Sequence, residues 1–514
     1  MNLFKTYKGD NVPRLTKYVF SFVGIGRDAA YTLINLFLMI YLQLTLPESD
    51  PTQYKLMITV VMVVMLLIHL WDGINDPIIG MIIENARFKL GKYKPWILLG
   101  GLINGLLLMV LFSFRPFGGW GYIVFFLIVY LLWEISFTFN DIGYWSMVPS
   151  LTRDPKQRNQ ITMLMAIAVN IGAFTVGGLV PSLYPGNAIK VFSLLSIIIG
   201  STYIFSQVLL VFLCQERDRS EIDKEEPIKV RDIFRVIKGN KPLLIMLIAI
   251  VLHYLAGSMF NNLGQNYMHF VFGYKEAGQA FFYFLIAYAV GSIAANFIFG
   301  FLVKKYNRAQ LLKGSIIISS LGNGLFFLIG SAHAFGWLAI PNDIYQYFLP
   351  VLALIIFTPQ GVFYLVLLVQ ITNTVEYNEW QTGDRKESVV FAARPFAAKI
   401  SNAITVLVVF LTLTAGGVYD ITKQISDFEV KGGLSPTDPG FLTQTDVISG
   451  AQNAIDNANL AQARFALILG MALLPLACNL IAYFLIKRKY PIDEKMYEKI
   501  VKDIDSRKLV VDEH

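Results

Sequence analysis

His69-Leu70-Trp71-Asp72-Gly73-Ile74-Asn75-Asp76-Pro77 lies within an apolar run, residues 56–84, that is long enough to cross a membrane. It puts two carboxylates and a carboxamide where hydrocarbon is expected. In a helix Asp72, Asn75 and Asp76 stand at i, i+3 and i+4, hence on one face, and Pro77 weakens the backbone ladder beside them. A charged acid at the centre of a spanning helix costs ~2.5 to 3.5 kcal/mol, so an acid kept there is read first as functional. Two such acids on one face suit a bound cation. The structural alternative is an ion pair with a basic residue on another helix.

The composition fits a membrane setting. Of 514 residues, 55% are hydrophobic and 15% charged, and the mean hydropathy is +0.55, outside the soluble range. The net charge of +7 does not point to nucleic acid, because the basic residues sit in short loops rather than on one face; they read as topology determinants. Cys214 and Cys478 fall near the ends of separate apolar runs, with no metal-ligand spacing. The polar start, residues 1–17, lacks the short apolar core of a removable signal peptide.

Apolar runs of spanning length, roughly 20 residues, recur about twelve times: 17–44, 56–84, 96–115, 121–147, 161–183, 191–214, 243–272, 278–303, 311–332, 346–373, 388–416 and 462–486. Loops after the even-numbered runs are rich in cations, among them Arg87, Lys92, Lys94, Arg153, Lys304, Lys305, Arg308, Arg385 and Lys487. The intervening loops hold only scattered ones such as Lys55, Arg115, Lys190 and Lys275. The positive-inside rule therefore puts both termini in the cytoplasm of a plasma-membrane protein. The expected fold class is all-α: a first six-helix bundle over 1–214, a cytoplasmic linker over 215–242, a second bundle over 243–487 and a cytoplasmic tail over 488–514. A faint echo between Gly80–Arg87 and Gly300–Arg308 supports duplication. Paired halves of this kind are a common transporter plan. A second polar stretch near 419–460 is expected as an extracytoplasmic loop.

Further polar residues lie inside apolar runs. Glu134, Thr138, Asp141 and Trp145 recur at i, i+4, i+7 and i+11, so they form one helical stripe. Thr138 offers a hydroxyl oxygen to a small hard cation, Asp141 can accept hydrogen bonds from vicinal hydroxyls, and Trp145 supplies a flat apolar platform. That mixture suits a sugar. Trp145 also fits an interfacial belt, and Thr138 fits bonding within its own helix. On the first span Arg27 and Asp28 are neighbours pointing about 100 degrees apart, and need not pair. Glu134 is placed either to attract cations or to pair with Arg27. In the second half Arg394 and Lys399 add cations that can balance the surplus acids or bind substrate.

Trp71-Asp72-Gly73-Ile74-Asn75-Asp76-Pro77, followed by Lys89-Leu90-Gly91-Lys92-Tyr93-Lys94-Pro95-Trp96, resembles the second span and following loop of the glycoside-pentoside-hexuronide:cation symporters. Asp141-Ile142-Gly143-Tyr144-Trp145, Val375-Glu376-Tyr377-Asn378-Glu379-Trp380, Gly383-Asp384-Arg385 and Lys489-Tyr490-Pro491 extend the resemblance over nearly the whole chain. It implies a major facilitator fold with about twelve transmembrane helices in two six-helix bundles, and symport of sugar with sodium, proton or lithium. It also implies a cation site of Asp72, Asn75, Asp76 and Thr138. Arg27, Asp28, Asp141 and Trp145 would contact sugar, with Lys399 near both sites and Tyr364 at a position that is tryptophan in the family's best-known member. Two departures are plain. The family's span-five arginine falls near Ala166, where this chain has no basic residue, and Arg394 stands where that member has glutamine.

The expected protein is thus a symporter of a glycoside, pentoside or hexuronide, with sodium as coupling ion, the lipid bilayer as setting and no cofactor. The alternatives are a sodium-dependent carrier of lysolipids and a passive sugar facilitator. An intramembrane aspartyl protease needs acids on two helices aligned on one water, whereas Asp72 and Asp76 share one helix. Arg87, Lys94, Arg153 and Arg385, with Glu379 and Glu387, are candidates for an inner-gate latch.

Overall fold

The computed structural model describes residues 6–7, 9, 11–86, 88, 90–152, 154–217, 235, 238–383 and 387–512. Arg87, Arg153, Arg385 and most of the 215–242 linker therefore lie outside the described residues, as does the side chain of Glu387. Twelve helices among the described residues are long and apolar enough to span a membrane. In chain order the helices are α1 (Arg14–Phe22), α2 (Gly24–Thr45), α3 (Pro51–Asn85), α4 (Lys94–Ser113), α5 (Gly119–Leu151), α6 (Pro155–Leu183) and α7 (Ala188–Leu213). Then follow α8 (Lys241–Phe272), α9 (Ala277–Leu302), α10 (Arg308–Ala334), α11 (Asn342–Thr382), α12 (Glu387–Ala415), α13 (Val418–Gly432), α14 (Gln444–Asp456), α15 (Leu460–Ile468), α16 (Leu474–Lys489) and α17 (Glu494–Asp512). The first span is α1 and α2 together, parted at Val23, and the twelfth is α15 and α16 joined by a π-helical turn over Leu469–Leu473.

Two compact units are present, one of Met1–Pro227, Gly273–Phe282 and Tyr419–Ala458, the other of Ile228–Phe272, Tyr283–Val418 and Asn459–His514. In the first, α4 packs on α5 and α7, α2 on α6 and α7, and α3 on α5. The α4–α5 seam is tight at Gly100, where a Cβ would stand 2.8 Å from Asn140 N and Ser136 O. Asn140 donates to Ile97 O at 2.7 Å and Asn104 to Trp133 O at 2.8 Å across the same seam. Those bonds fix which face of α5 is left for Thr138 and Asp141. In the second unit α8 packs against α11, α12 and α16, around a core that includes Leu243, Met246, Leu367 and Ala482. The tail is a helix, α17, set on α11: Trp380 Nε1 donates to Asp503 at 3.1 Å, and Ile492, Ile500 and Ile504 pack with Tyr377 and Trp380.

The 419–460 stretch has secondary structure of its own. It forms α13 and α14, and Tyr419–Ala458 belongs to the first unit although the chain enters it from the second. Tyr54 reaches Thr422 at 3.3 Å, Ser426 donates to Leu46 O at 3.1 Å and Lys55 pairs with Asp420 at 2.5 Å. At the centre is Glu429, fully buried. Its carboxylate accepts from Gly186 N at 2.6 Å, Ala188 N at 2.8 Å and Tyr274 OH at 2.6 Å. Gly186 has φ +83°, which only glycine adopts without strain there. Glu429→Ala leaves three buried donors without an acceptor, at about 1 kcal/mol or more each. Hydrogen exchange should rise by two orders of magnitude or more through α13 while α5 stays protected.

Burial pushes the Glu429 carboxyl above its usual value, against the pull of Tyr274, Ala188 and Gly186. An acid raised in the folded state stabilises it most below the ordinary carboxyl range, and that contribution is lost as pH rises through the raised value. The melting temperature should fall over that window, and Glu429→Gln should flatten the slope.

Candidate functional site

The acid row on α3 and the stripe on α5 meet through one hydroxyl. Thr138 Oγ1 lies 3.1 Å from Asp72 Oδ1 and 3.1 Å from the Glu134 carbonyl oxygen. The hydroxyl has one proton, so it donates to one of these acceptors at a time and keeps lone pairs for a cation. Both sequence readings of Thr138, ligand and own-helix bonding, are thus compatible with its position. Asn75 is buried, and Asp72 and Asp76 are half-buried. The helix α3 runs unbroken through residue 77, so the row keeps its i, i+3, i+4 register. Among the described residues no three His, Cys, Asp or Glu side chains gather as a metal group. The candidate oxygen set of Asp72, Asn75, Asp76 and Thr138 therefore carries two carboxylates, a low charge for a divalent ion and a fitting one for a monovalent ion.

One turn further along α5, Asp141 meets Arg27. The guanidinium donates to Asp141 Oδ1 at 2.7 Å through Nη1. Its Nε and Nη2 reach Asp28 at 3.2 and 3.1 Å. The neighbours Arg27 and Asp28 do pair, a point their angular separation had left open, because the long arginine side chain folds back over the short aspartate. Nor does Glu134 pair with Arg27. The arginine is satisfied by the two aspartates and stacks on the rings of Tyr144 and Trp145, at 4.6 and 5.6 Å from their centroids. Glu134 is buried beside Tyr130. The Arg27 side chain is 3% exposed and that of Asp141 39%, so Asp141 is the open member of the cluster. Its second oxygen has no protein partner among the described residues, and Trp145 is exposed beside it. An acceptor next to an exposed indole can hold a hydroxylated ring. If Glu134 attracts cations, Glu134→Gln should raise the sodium concentration for half-maximal uptake severalfold and leave the saturated rate intact; loss of folded protein would mark a packing role instead.

The second unit has its own polar cluster. Arg394 Nη2 donates to Tyr364 OH at 2.7 Å and Nε to Tyr254 OH at 3.4 Å, while the two phenols bond each other at 2.7 Å. The His253 ring stacks on Tyr364 at 5.4 Å and 8°. Among the described residues Arg394 has no carboxylate partner. Sequence reasoning passed over Tyr254 and His253, although an imidazole within the apolar run 243–272 was a usable signal. Lys399 is half-buried on the same helix as Arg394. Of the latch candidates, Lys94 and Glu379 are described and both are buried.

A family model described as MFS/sugar transport protein matches residues 19–494. Curated relatives include a lactose permease of Lactobacillus delbrueckii subsp. bulgaricus, 28% identical over 76% of this chain and 62% of that one. A raffinose carrier protein of Pediococcus pentosaceus is 26% identical over 76% and 60%, and a glucuronide carrier protein homolog of Escherichia coli is 22% identical over 87% of each. The chain thus spans about three fifths of the length of the first two. Among solved structures, a bacterial homolog of the human lysosomal transporter Spinster aligns with a TM-score of 0.58 at 13% identity, over 92% of this chain and 97% of that one.

Proposed function

Because this chain belongs to the MFS/sugar transport protein family, among the glycoside-pentoside-hexuronide:cation symporters, we propose that it couples sodium entry to uptake of a glycoside, pentoside or hexuronide by alternating access. It is a multi-pass membrane transporter and not an enzyme. The observation that carries the reading is the Thr138–Asp72 contact. It ties the α3 acid row to the helix that bears Asp141, so whatever fills the acid row also sets the sugar-facing aspartate.

Asp72 and Asp76 repel each other when no cation is held between them. A sodium ion among Asp72, Asn75, Asp76 and Thr138 removes that repulsion and draws α3 onto α5. Asp141, Asp28 and Arg27 then stand ready for sugar hydroxyls, with Trp145 as the stacking face. Within the second unit Tyr364 and Arg394 are separate candidate substrate contacts, with Lys399 on the same helix as Arg394. By reciprocity, sugar tightens sodium binding by the factor by which sodium tightens sugar. Lithium, as another hard ion, and the proton are the other coupling candidates. Both termini are taken as cytoplasmic and the membrane as the plasma membrane, a reading that the cation-rich loops support.

Neutral ligands matter only to a metal ion, since a proton needs one carboxylate. Thr138→Ala and Asn75→Ala should each raise the half-saturating sodium concentration about tenfold, the size of one lost bond to a charged partner at ~1.5 kcal/mol, and leave any proton-driven uptake unchanged. The substrate is tested with labelled glycosides, pentosides, uronides and lysolipids in proteoliposomes. Accumulation of a sugar class against its gradient supports the reading. Uptake that stops at equilibrium means a facilitator, and uptake of lysolipid alone means an amphiphile carrier.

A further inference from the structure

The second unit holds a cavity of about 450 Å³ lined by none of the candidate cation or substrate residues. Its wall is apolar, formed by Phe299 and Val303 at the end of α9, Leu311 on α10, and Val366 and Val369 on α11. Tyr306, Asn307, Arg308 and Glu494 form its polar end. Val303 is 46% exposed, and on the same helix Phe297 and Phe301 are 69% and 74% exposed. Side chains so apolar and so exposed on a spanning helix face hydrocarbon, so the cavity opens toward lipid.

The charges at the mouth do not cancel. Glu494 is committed to Arg308: it accepts the Arg308 backbone N–H at 2.8 Å and lies 3.9 Å from the guanidinium. Lys304 and Lys305 are exposed and have no acidic partner among the described residues. Lys305 Nζ stands 5.6 Å from the centroid of Tyr306, a wall residue. Two positive charges thus remain where an apolar crevice meets the membrane surface. A sugar finds polar groups at one end only, and a zwitterionic lipid brings no net charge to the lysines. Basic pockets between spanning helices are a recognised setting for acidic lipid headgroups.

We propose that this crevice binds one anionic phospholipid, an acyl chain along Phe299, Leu311, Val366 and Val369 and the headgroup phosphate between Lys304 and Lys305. The full-length protein, purified in neutral detergent, is titrated with phosphatidylglycerol and with phosphatidylcholine of the same chains and weighed by native mass spectrometry. The expected result is one tightly held phosphatidylglycerol, preferred at least fivefold over phosphatidylcholine. Lys304→Gln with Lys305→Gln should erase the preference, and Val303→Trp, which fills the opening without altering charge, should lower retention of both lipids. Neither variant touches the cation or sugar residues, so sodium-driven uptake reports that each still folds. Equal retention of the two lipids by the parent overturns the proposal. So does a preference that survives loss of both lysines, retention of many lipid copies that Val303→Trp leaves unchanged, or displacement of the lipid by glycerol phosphate alone or by palmitate at equal concentration.

Discussion

Asp76→Asn abolishes cation-driven sugar accumulation, and Asp72→Asn reduces it at least a hundredfold, with the protein still folded in the membrane. The warrant is the charge of the oxygen set. Among the described residues no third acid joins Asp72 and Asp76, so removing one leaves a single carboxylate to offset a buried cation, with neutral oxygens doing the rest. A lost charged contact in a partly desolvated site is worth ~1.5 to 3 kcal/mol in binding alone, and loss of the ordered α3–α5 contact adds to it through Thr138. Asparagine keeps the shape of the side chain, so the protein should still fold, while sodium no longer raises its melting temperature. A variant that still melts higher in sodium than in choline would place the cation elsewhere.

The second large effect divides Asp141 from Asp28. Both bond Arg27, but Asp28 is nearly as buried as the arginine, whereas Asp141 is open with an unshared oxygen. Asp141→Asn should cost at least tenfold in sugar affinity and little in stability, with sodium binding retained. Asp28→Asn removes the more buried neutralising group of a buried guanidinium, the one that both Nε and Nη2 reach. Breaking a buried pair costs ~3 to 5 kcal/mol, so this variant should show a large fall in melting temperature as well as lost sugar binding. Titration calorimetry and thermal melting on the two proteins separate the roles. Equal sugar affinity in Asp141→Asn and the parent would remove Asp141 from the binding surface.

Local pattern carried most of what was legible beforehand. Spanning length and hydropathy are properties of consecutive residues, so the twelve spans could be read directly, and the i, i+3, i+4 row held because α3 continues through Pro77 without a break. The Thr138–Asp72 meeting was implied by family resemblance, and local periodicity could place only each member on its own helix. What escaped depends on tertiary reach. Arg27 and Asp28 pair through a side-chain fold that backbone angles do not register. Glu429 looked like one acid among many in a polar stretch, and its meaning comes from backbone N–H groups more than two hundred residues away in sequence. The Tyr254–Tyr364–Arg394 cluster joins three helices, and a tyrosine in an apolar run gives no sign of whether its hydroxyl will find a partner.

Sodium dependence of sugar accumulation is read from one comparison. Proteoliposomes carrying the purified protein are held at fixed pH and clamped membrane potential, and accumulation of the best-transported labelled sugar is measured with an inward sodium gradient and with choline in its place. The expected result is accumulation well above the external concentration in sodium, and none beyond equilibrium in choline. Equal accumulation in the two salts would contradict it.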